Sequence, residues 1–318
     1  LCILSIKRLA FVTILLTYGL IVFGGYVASS ESGMGCGPEW PLCNGEVIPT
    51  LKGDTLIEFA HRVIGAILAI SCVILFLKIL RAKIDPAIRN IGYWMIGLLV
   101  IQVLLGAVVV ILDLPSIIVS SHLMIAMVFL ASLIWIWRKA DDKKPLGNSS
   151  TGDISDHKSI ILHLNIILVL LLLTLAFGAY TKHEWYGLGC GWFDCGSTLL
   201  PTIDNPAGII QTIHRLFAVL SAIYILALTC WAFLKKWSSP LRWRLILASI
   251  TVIIQLVIGV LTITSFIDLT MAVLHLAVGT FLFSVLAESR AVMGKDRAQS
   301  RKGQLFTGEM SSKVRTRV

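Results

Sequence analysis

Eight stretches of this chain are long enough and apolar enough to cross a lipid bilayer, and nothing else in the sequence constrains the fold as tightly. They run at about 9–28, 56–78, 91–112, 116–137, 159–181, 207–234, 243–264 and 267–288. A helix spans the hydrocarbon core with ~20 apolar residues. Inside lipid, only helices and closed barrels satisfy every backbone group. The length of the runs and their lack of two-residue alternation select helices over barrel strands. Composition agrees, with 57% of the 318 residues hydrophobic and 14% charged, against ~25% charged in a soluble domain. A soluble enzyme, a nucleic-acid binder and a disordered scaffold are excluded, whatever the net charge of +9 suggests.

The basic residues set the orientation. Of the 27 Lys and Arg, 23 fall in five clusters that the alternating runs place on one side: Lys7 and Arg8, Lys78 to Arg89, Arg138 to Lys158, Lys235 to Arg244, and Arg290 to Arg317. The other side holds Lys52 and Lys182 in loops, with Arg62 and Arg215 just inside helices. The positive-inside rule then predicts a multi-pass protein of the cell membrane with both termini in the cytoplasm. Run 1, with Lys7 and Arg8 before it and Ala28-Ser29-Ser30 after it, has the look of a cleaved signal. Its mid-chain counterpart, described next, predicts that it is retained.

The chain reads as two copies of one four-helix unit. Gly24-Gly25-Tyr26 recurs as Gly178-Ala179-Tyr180 and Gly35-Cys36-Gly37 as Gly189-Cys190-Gly191, both at an offset of 154. His61-Arg62 recurs as His214-Arg215, Gln102 to Gly106 as Gln255 to Gly259, and His122 as His275, all at 153. Four helices return the chain to its starting side, so the repeats are parallel rather than inverted. The expected architecture is an all-α polytopic membrane protein of two parallel-repeat four-helix bundles, 1–138 and 159–290. A polar cytoplasmic linker at 139–158 joins them, and a basic cytoplasmic tail at 291–318 follows, solvated or touching lipid.

Ionisable residues within membrane helices are rare and mark function by default. His61, His122, His214 and His275 lie on helices 2, 4, 6 and 8, each six to nine residues from the helix start on the outer side. At ~1.5 Å per residue they share one depth. Two imidazoles facing one another across a bundle suit a porphyrin iron with an axial nitrogen from each side. Zinc or copper would want further ligands close by. Arg62 and Arg215 are candidate propionate partners, since guanidinium pairs bidentately with carboxylate; snorkelling to headgroups is the plainer reading. His157, His163 and His183 have no repeat partners and read as interfacial or loop residues. Cys36 with Cys43 and Cys190 with Cys195 lie in outer loops, where an oxidising compartment favours disulfides, structural or redox active. Cys72 and Cys230 fall inside runs and read as core residues.

At these residues the sequence resembles a known family. Gly35-Cys36-Gly37-Pro38-Glu39-Trp40-Pro41-Leu42-Cys43-Asn44-Gly45 and Glu58-Phe59-Ala60-His61-Arg62 are similar to the first outer loop and helix-2 motif of heme A synthase of the bacterial CtaA type. His122, His214-Arg215, His275 and the second cysteine pair continue the match in order, with Cys190 to Cys195 shorter and lacking Trp-Pro-Leu. The resemblance implies an oxidoreductase acting on a CH group, converting a methyl of heme O to the formyl of heme A for terminal oxidases. It implies that His61 and His122 hold the substrate heme O, that His214 and His275 are axial ligands of a heme b cofactor, and that Glu58 is catalytic. The implied partners are a heme O synthase (farnesyltransferase), membrane lipids and an electron acceptor the sequence does not name. Nucleic acid is not among them, and a homo-oligomer is compatible with the same reading. From the residues alone, a diheme electron carrier or quinol-cytochrome oxidoreductase stays open, as does a quinone-linked thiol oxidoreductase using the outer cysteines.

Overall fold

The computed structural model describes residues 5–140, 154–195 and 198–315. Among them are eight long helices and no strand: α1 Ile6–Ser29, α2 Gly53–Arg81, α3 Pro86–Ile111, α4 Ser116–Lys139, α5 Ile154–His183, α6 Pro206–Leu234, α7 Ser239–Thr264 and α8 Leu269–Arg315. All eight are long and apolar enough to cross a membrane, so the all-helical, eight-span expectation is borne out. The linker expected at 139–158 lies largely outside the described residues, as do 316–318. The backbone of α8 stays helical through Arg315, well past the apolar run, because no proline interrupts it.

Local chemistry places the helix ends. Asp85 caps α3, its Oδ1 accepting from the Ala87 N–H at 2.9 Å, with Pro86 at the first helical position. Asn205 caps α6 in the same way, accepting from the Gly208 N–H at 2.8 Å ahead of Pro206. Side-chain capping and a proline with its φ already set are strong helix starts. The turns α3–α4 and α7–α8 are tight, with left-handed pairs at Asp113-Leu114 and Phe266-Ile267. Non-glycine residues there carry strain, and the two turns are 153 residues apart.

Helix α4 stands between two cores. Its Phe129, Leu133 and Ile136 pack with Leu68, Leu75 and Met95 of α2 and α3. Its Met127, Leu130 and Ile134 pack with Leu164, Ile225, Leu245 and Leu286 of α5 to α8. The three-to-four spacing of each set puts them on separate faces of one helix. Contacts of α4 with α8, α4 with α5 and α1 with α8 join the two groups of four helices. Several hydroxyls inside the spans return to carbonyls one turn back, as Thr17 does to Thr13 and Thr280 to Leu276, each at 2.8 Å, which satisfies them where no water is available.

Candidate functional site

Four helices carry one histidine each toward the same end of the molecule. His61 and His214 are the ninth residues of α2 and α6; His122 and His275 are the seventh of α4 and α8. All are six or eight residues in from their helix starts, roughly 9–12 Å along the axis.

His214 and His275 face each other with ring centroids 6.4 Å apart and planes at 77°. Two imidazole nitrogens at ~2.0–2.1 Å from one shared metal would set the centroids about 6 Å apart. His61 and His122 form the other pair, near enough to act on each other electrostatically. Among the described residues no group of three or more His, Cys, Asp or Glu converges on a point. Two facing imidazoles fit an iron that needs two axial nitrogens and would bring its other ligands in a macrocycle.

The rings are shaped for such a role by glycines on neighbouring helices. A Cβ at Gly24 of α1 would stand 3.1 Å from His61 Cε1, and one at Gly178 of α5 would stand 2.7 Å from His214 Cε1. Gly106 of α3 and Gly259 of α7 do the same for His122 and His275, at 3.4 and 3.1 Å. Any side chain at Gly178 would displace the imidazole. Phe23 lies 5.9 Å from the His61 ring.

The outer nitrogens differ between the pairs. His214 Nδ1 lies 2.8 Å from the Thr174 carbonyl oxygen. That oxygen can only accept, so Nδ1 carries the proton and Nε2 keeps its lone pair for a metal, the arrangement usual for ligating histidines. His61 Nδ1 and His122 Nδ1 are buried without a hydrogen-bond partner. Gln102 and Gln255 each donate from Nε2 to the carbonyl of the adjacent histidine, His122 and His275, at 2.9 Å.

Above the histidines, each outer loop is closed by a disulfide and latched to a helix. Cys36 is joined to Cys43 and Cys190 to Cys195. Glu58 is buried, 4% exposed, and its Oε2 accepts from the Cys36 N–H at 2.7 Å. Its Oε1 accepts from Arg62 Nε at 3.1 Å and Nη2 at 2.5 Å, while Arg62 Nη1 donates to the Leu42 carbonyl at 2.8 Å. In the other half Gln211 Oε1 accepts from the Cys190 N–H at 2.6 Å, and its Nε2 donates to the Gly187 carbonyl at 2.5 Å. Arg215 donates to the Gly191 carbonyl. Both arginines thus hold loop carbonyls, a role that their sequence context did not indicate.

The remaining expectations divide. Cys72 is buried as a core residue, but Cys230 is exposed on α6, because it shares the helix face of Leu226 and Phe233, which are exposed as well. His183 is the last residue of α5. His163, expected at an interface or in a loop, lies on α5 rather than in a loop, six residues in from the start of the apolar span, and is bonded to Tyr224. The glycine cradles and the Thr174 carbonyl were not foreseen as site elements. The recurrence of Gly24 at Gly178 and of Gly106 at Gly259 was the available signal.

These features define a class: a multi-pass helical membrane protein with two paired-imidazole sites beneath disulfide-closed loops. The chain belongs to the COX15-CtaA family of cytochrome oxidase assembly proteins, whose sequence model matches residues 7–287. It is 30% identical to the heme A synthase of Halalkalibacterium halodurans over 286 residues, covering 88% of this chain and 94% of that one. It is 28% identical to the heme A synthase of Shouchella clausii over 303 residues (93% and 99%), and 27% identical to that of Bacillus licheniformis over 308 residues (94% and 99%).

Proposed function

We propose that this protein is a heme A synthase, an oxidoreductase that converts a methyl group of heme O to a formyl group. The observation that carries this reading is the duplicated imidazole pair, each ring seated against a glycine, in a chain of the COX15-CtaA family. His214 and His275 hold heme b as a resident cofactor, and His61 and His122 hold heme O as substrate. Bound heme b supplies one-electron redox chemistry. The hydrogen bond from His214 to Thr174 supports this division, since it orients a permanent ligand, whereas His61 and His122 lack such a brace and suit a group that enters and leaves.

Glu58 is the proposed acid–base group. It stands three residues before His61, on nearly the same helix face, and a carboxylate can exchange a proton where Gln211 can only hydrogen-bond. Arg62 and Arg215 keep N–H groups at the outer rim for heme propionates while they hold the loops. The two sets of four helices act as parallel repeats, with the disulfide loops outside the cell membrane and both termini in the cytoplasm. Heme O arrives through the bilayer from a heme O synthase (farnesyltransferase), and the chain can self-associate without altering the scheme.

Pigment extraction tests the reading. The protein, co-produced with a heme O synthase, is purified and its hemes are identified by chromatography and mass. Heme b with heme O and heme A is the expected result. Heme b alone, with no heme A formed, would point to the diheme electron carrier instead.

A further inference from the structure

The conversion of methyl to formyl removes electrons, and nothing in the two imidazole sites says where they go. A second polar cluster lies toward the end opposite the disulfide loops, with His163 six residues in from the start of its apolar span and Trp237 in the turn after α6. His163 of α5 and the Tyr224 hydroxyl of α6 share a hydrogen bond of 2.6 Å. The Trp231 ring meets His163 edge-on at 4.8 Å, and Trp237 lies 5.8 Å beyond it. Trp237 is 8% exposed, and its Nε1–H has no hydrogen-bond partner. Tyr224 follows His214 by ten residues on the same helix, roughly 15 Å.

Trp237 belongs to the apolar core and Tyr224 and Trp231 pack against it, but the polar His163–Tyr224 pair has no counterpart in the first half. At the repeat offsets, Leu9, Ser71 and Lys78 stand where His163, Tyr224 and Trp231 do, and the first four helices pack without it. An ionisable pair at membrane depth costs free energy and marks function by default. In either tautomer the pair has a donor to spare. With Tyr224 donating to Nδ1, the His163 Nε2–H is free; with Nδ1–H donating, the tyrosine O–H is free. His163 Nε2 has no hydrogen-bond partner among the described residues. His163, Tyr224 and Trp231 are half-buried, and Leu162, Ile166, Leu226 and Cys230 beside them are exposed, so a lipophilic molecule can reach the cluster from the bilayer.

We propose that His163 and Tyr224 form a headgroup site for a membrane quinone, which takes the electrons removed from heme O. Hydrogen-bond donors beside aromatic rings suit a planar ring bearing carbonyl acceptors, and a hydrogen-bonded His–Tyr pair can pass the protons that each reduction consumes. With water as the oxygen source the balance is R–CH3 + H2O + 2 Q → R–CHO + 2 QH2. Four electrons and four protons leave the methyl and the water, and each quinone takes two of each.

This inference rests on the heme A synthase reading for its role, but the site itself can be tested without turnover. Full-length protein is titrated with decylubiquinone while tryptophan fluorescence is followed. In parallel, the reoxidation of chemically reduced heme is timed with decylubiquinone and with ferricyanide. Saturable quenching is expected, with the dissociation constant raised at least tenfold in His163→Leu and several-fold in Tyr224→Phe. Quinone-driven reoxidation slows by similar factors, while the heme spectrum and the ferricyanide rate stay at wild type. Quenching that never saturates, or wild-type quinone binding in both variants, overturns the site. Purified protein without heme would sink the heme A synthase reading and leave the quinone titration standing.

Discussion

Substituting Gly178 by alanine tests whether the His214 imidazole is held where an iron needs it. The added Cβ would lie 2.7 Å from His214 Cε1 and 3.1 Å from Nδ1. Restoring an ordinary contact of 3.4 Å requires the ring to recede by about 0.7 Å, the difference between 3.4 and 2.7. The Nδ1–Thr174 hydrogen bond, now 2.8 Å, comes from the same helix as Gly178, so receding from α5 stretches it toward 3.5 Å, the edge of a hydrogen bond. Overpacking of this kind costs about 1–3 kcal/mol, and at 1.4 kcal/mol per decade heme b retention should fall roughly 5- to 150-fold. The assay is titration of the heme-depleted protein with heme, read by Soret absorbance and by the low-spin signal of a bis-imidazole iron. Gly19→Ala is the control, because nothing lies within 4 Å of its Cβ and alanine there should stabilise the helix by about 0.5–1 kcal/mol. Wild-type affinity and spectrum in Gly178→Ala would refute the cradle argument.

The other cradles should grade with distance: Gly106→Ala, at 3.4 Å, is expected to be tolerated, and Gly259→Ala, at 3.1 Å, to weaken heme b measurably in the same titration. Replacing His214 or His275 by alanine should remove or shift the heme b spectrum and abolish turnover, whereas His61→Ala or His122→Ala should lower heme O and heme A content; heme b lost only from the His61 variant would reverse the assignment. Glu58→Gln should retain both hemes while conversion drops by ~10²-fold or more, the scale of a lost acid–base group, and near-normal heme A formation would remove Glu58 from the mechanism. In intact cells, an impermeant thiol reagent applied after reduction should label Cys36, Cys43, Cys190 and Cys195; labelling only after the cytoplasmic side is opened would overturn the orientation.

Hydropathy made the helices legible, because in lipid a run of apolar residues has few structures open to it. The histidines were legible because intramembrane imidazoles are scarce and these recur at one offset. The cradles were harder to see. Gly24 and Gly178 appeared as recurring residues, but whether a glycine faces a ring or open space depends on helix rotation, and Gly19, five residues before Gly24, faces nothing. The Thr174 carbonyl carried no signal at all, since a backbone acceptor is the same for every residue. The partner of His163 was hidden for a related reason. Without a repeat counterpart the histidine looked peripheral, and only the docking of α5 on α6 brings Tyr224 to it.

The same latch in the two halves separates structure from chemistry at residue 58. Glu58 and Gln211 both receive the N–H of the first loop cysteine, at 2.7 and 2.6 Å, so docking the loop does not demand a charge. What the carboxylate adds is its pairing with Arg62, and a hydrogen bond to a charged group contributes about 1.5–3 kcal/mol. In the second half the latch works with a neutral amide, and Arg215 turns to the Gly191 carbonyl instead. Protein with Gln at 58 therefore has a local precedent for folding, with Arg62 free to follow Arg215. The carboxylate present at one latch and absent from the other, three residues from an imidazole in both, is the difference that Glu58→Gln isolates: a loss of conversion with the loop still docked would separate proton transfer from the Arg62 pairing.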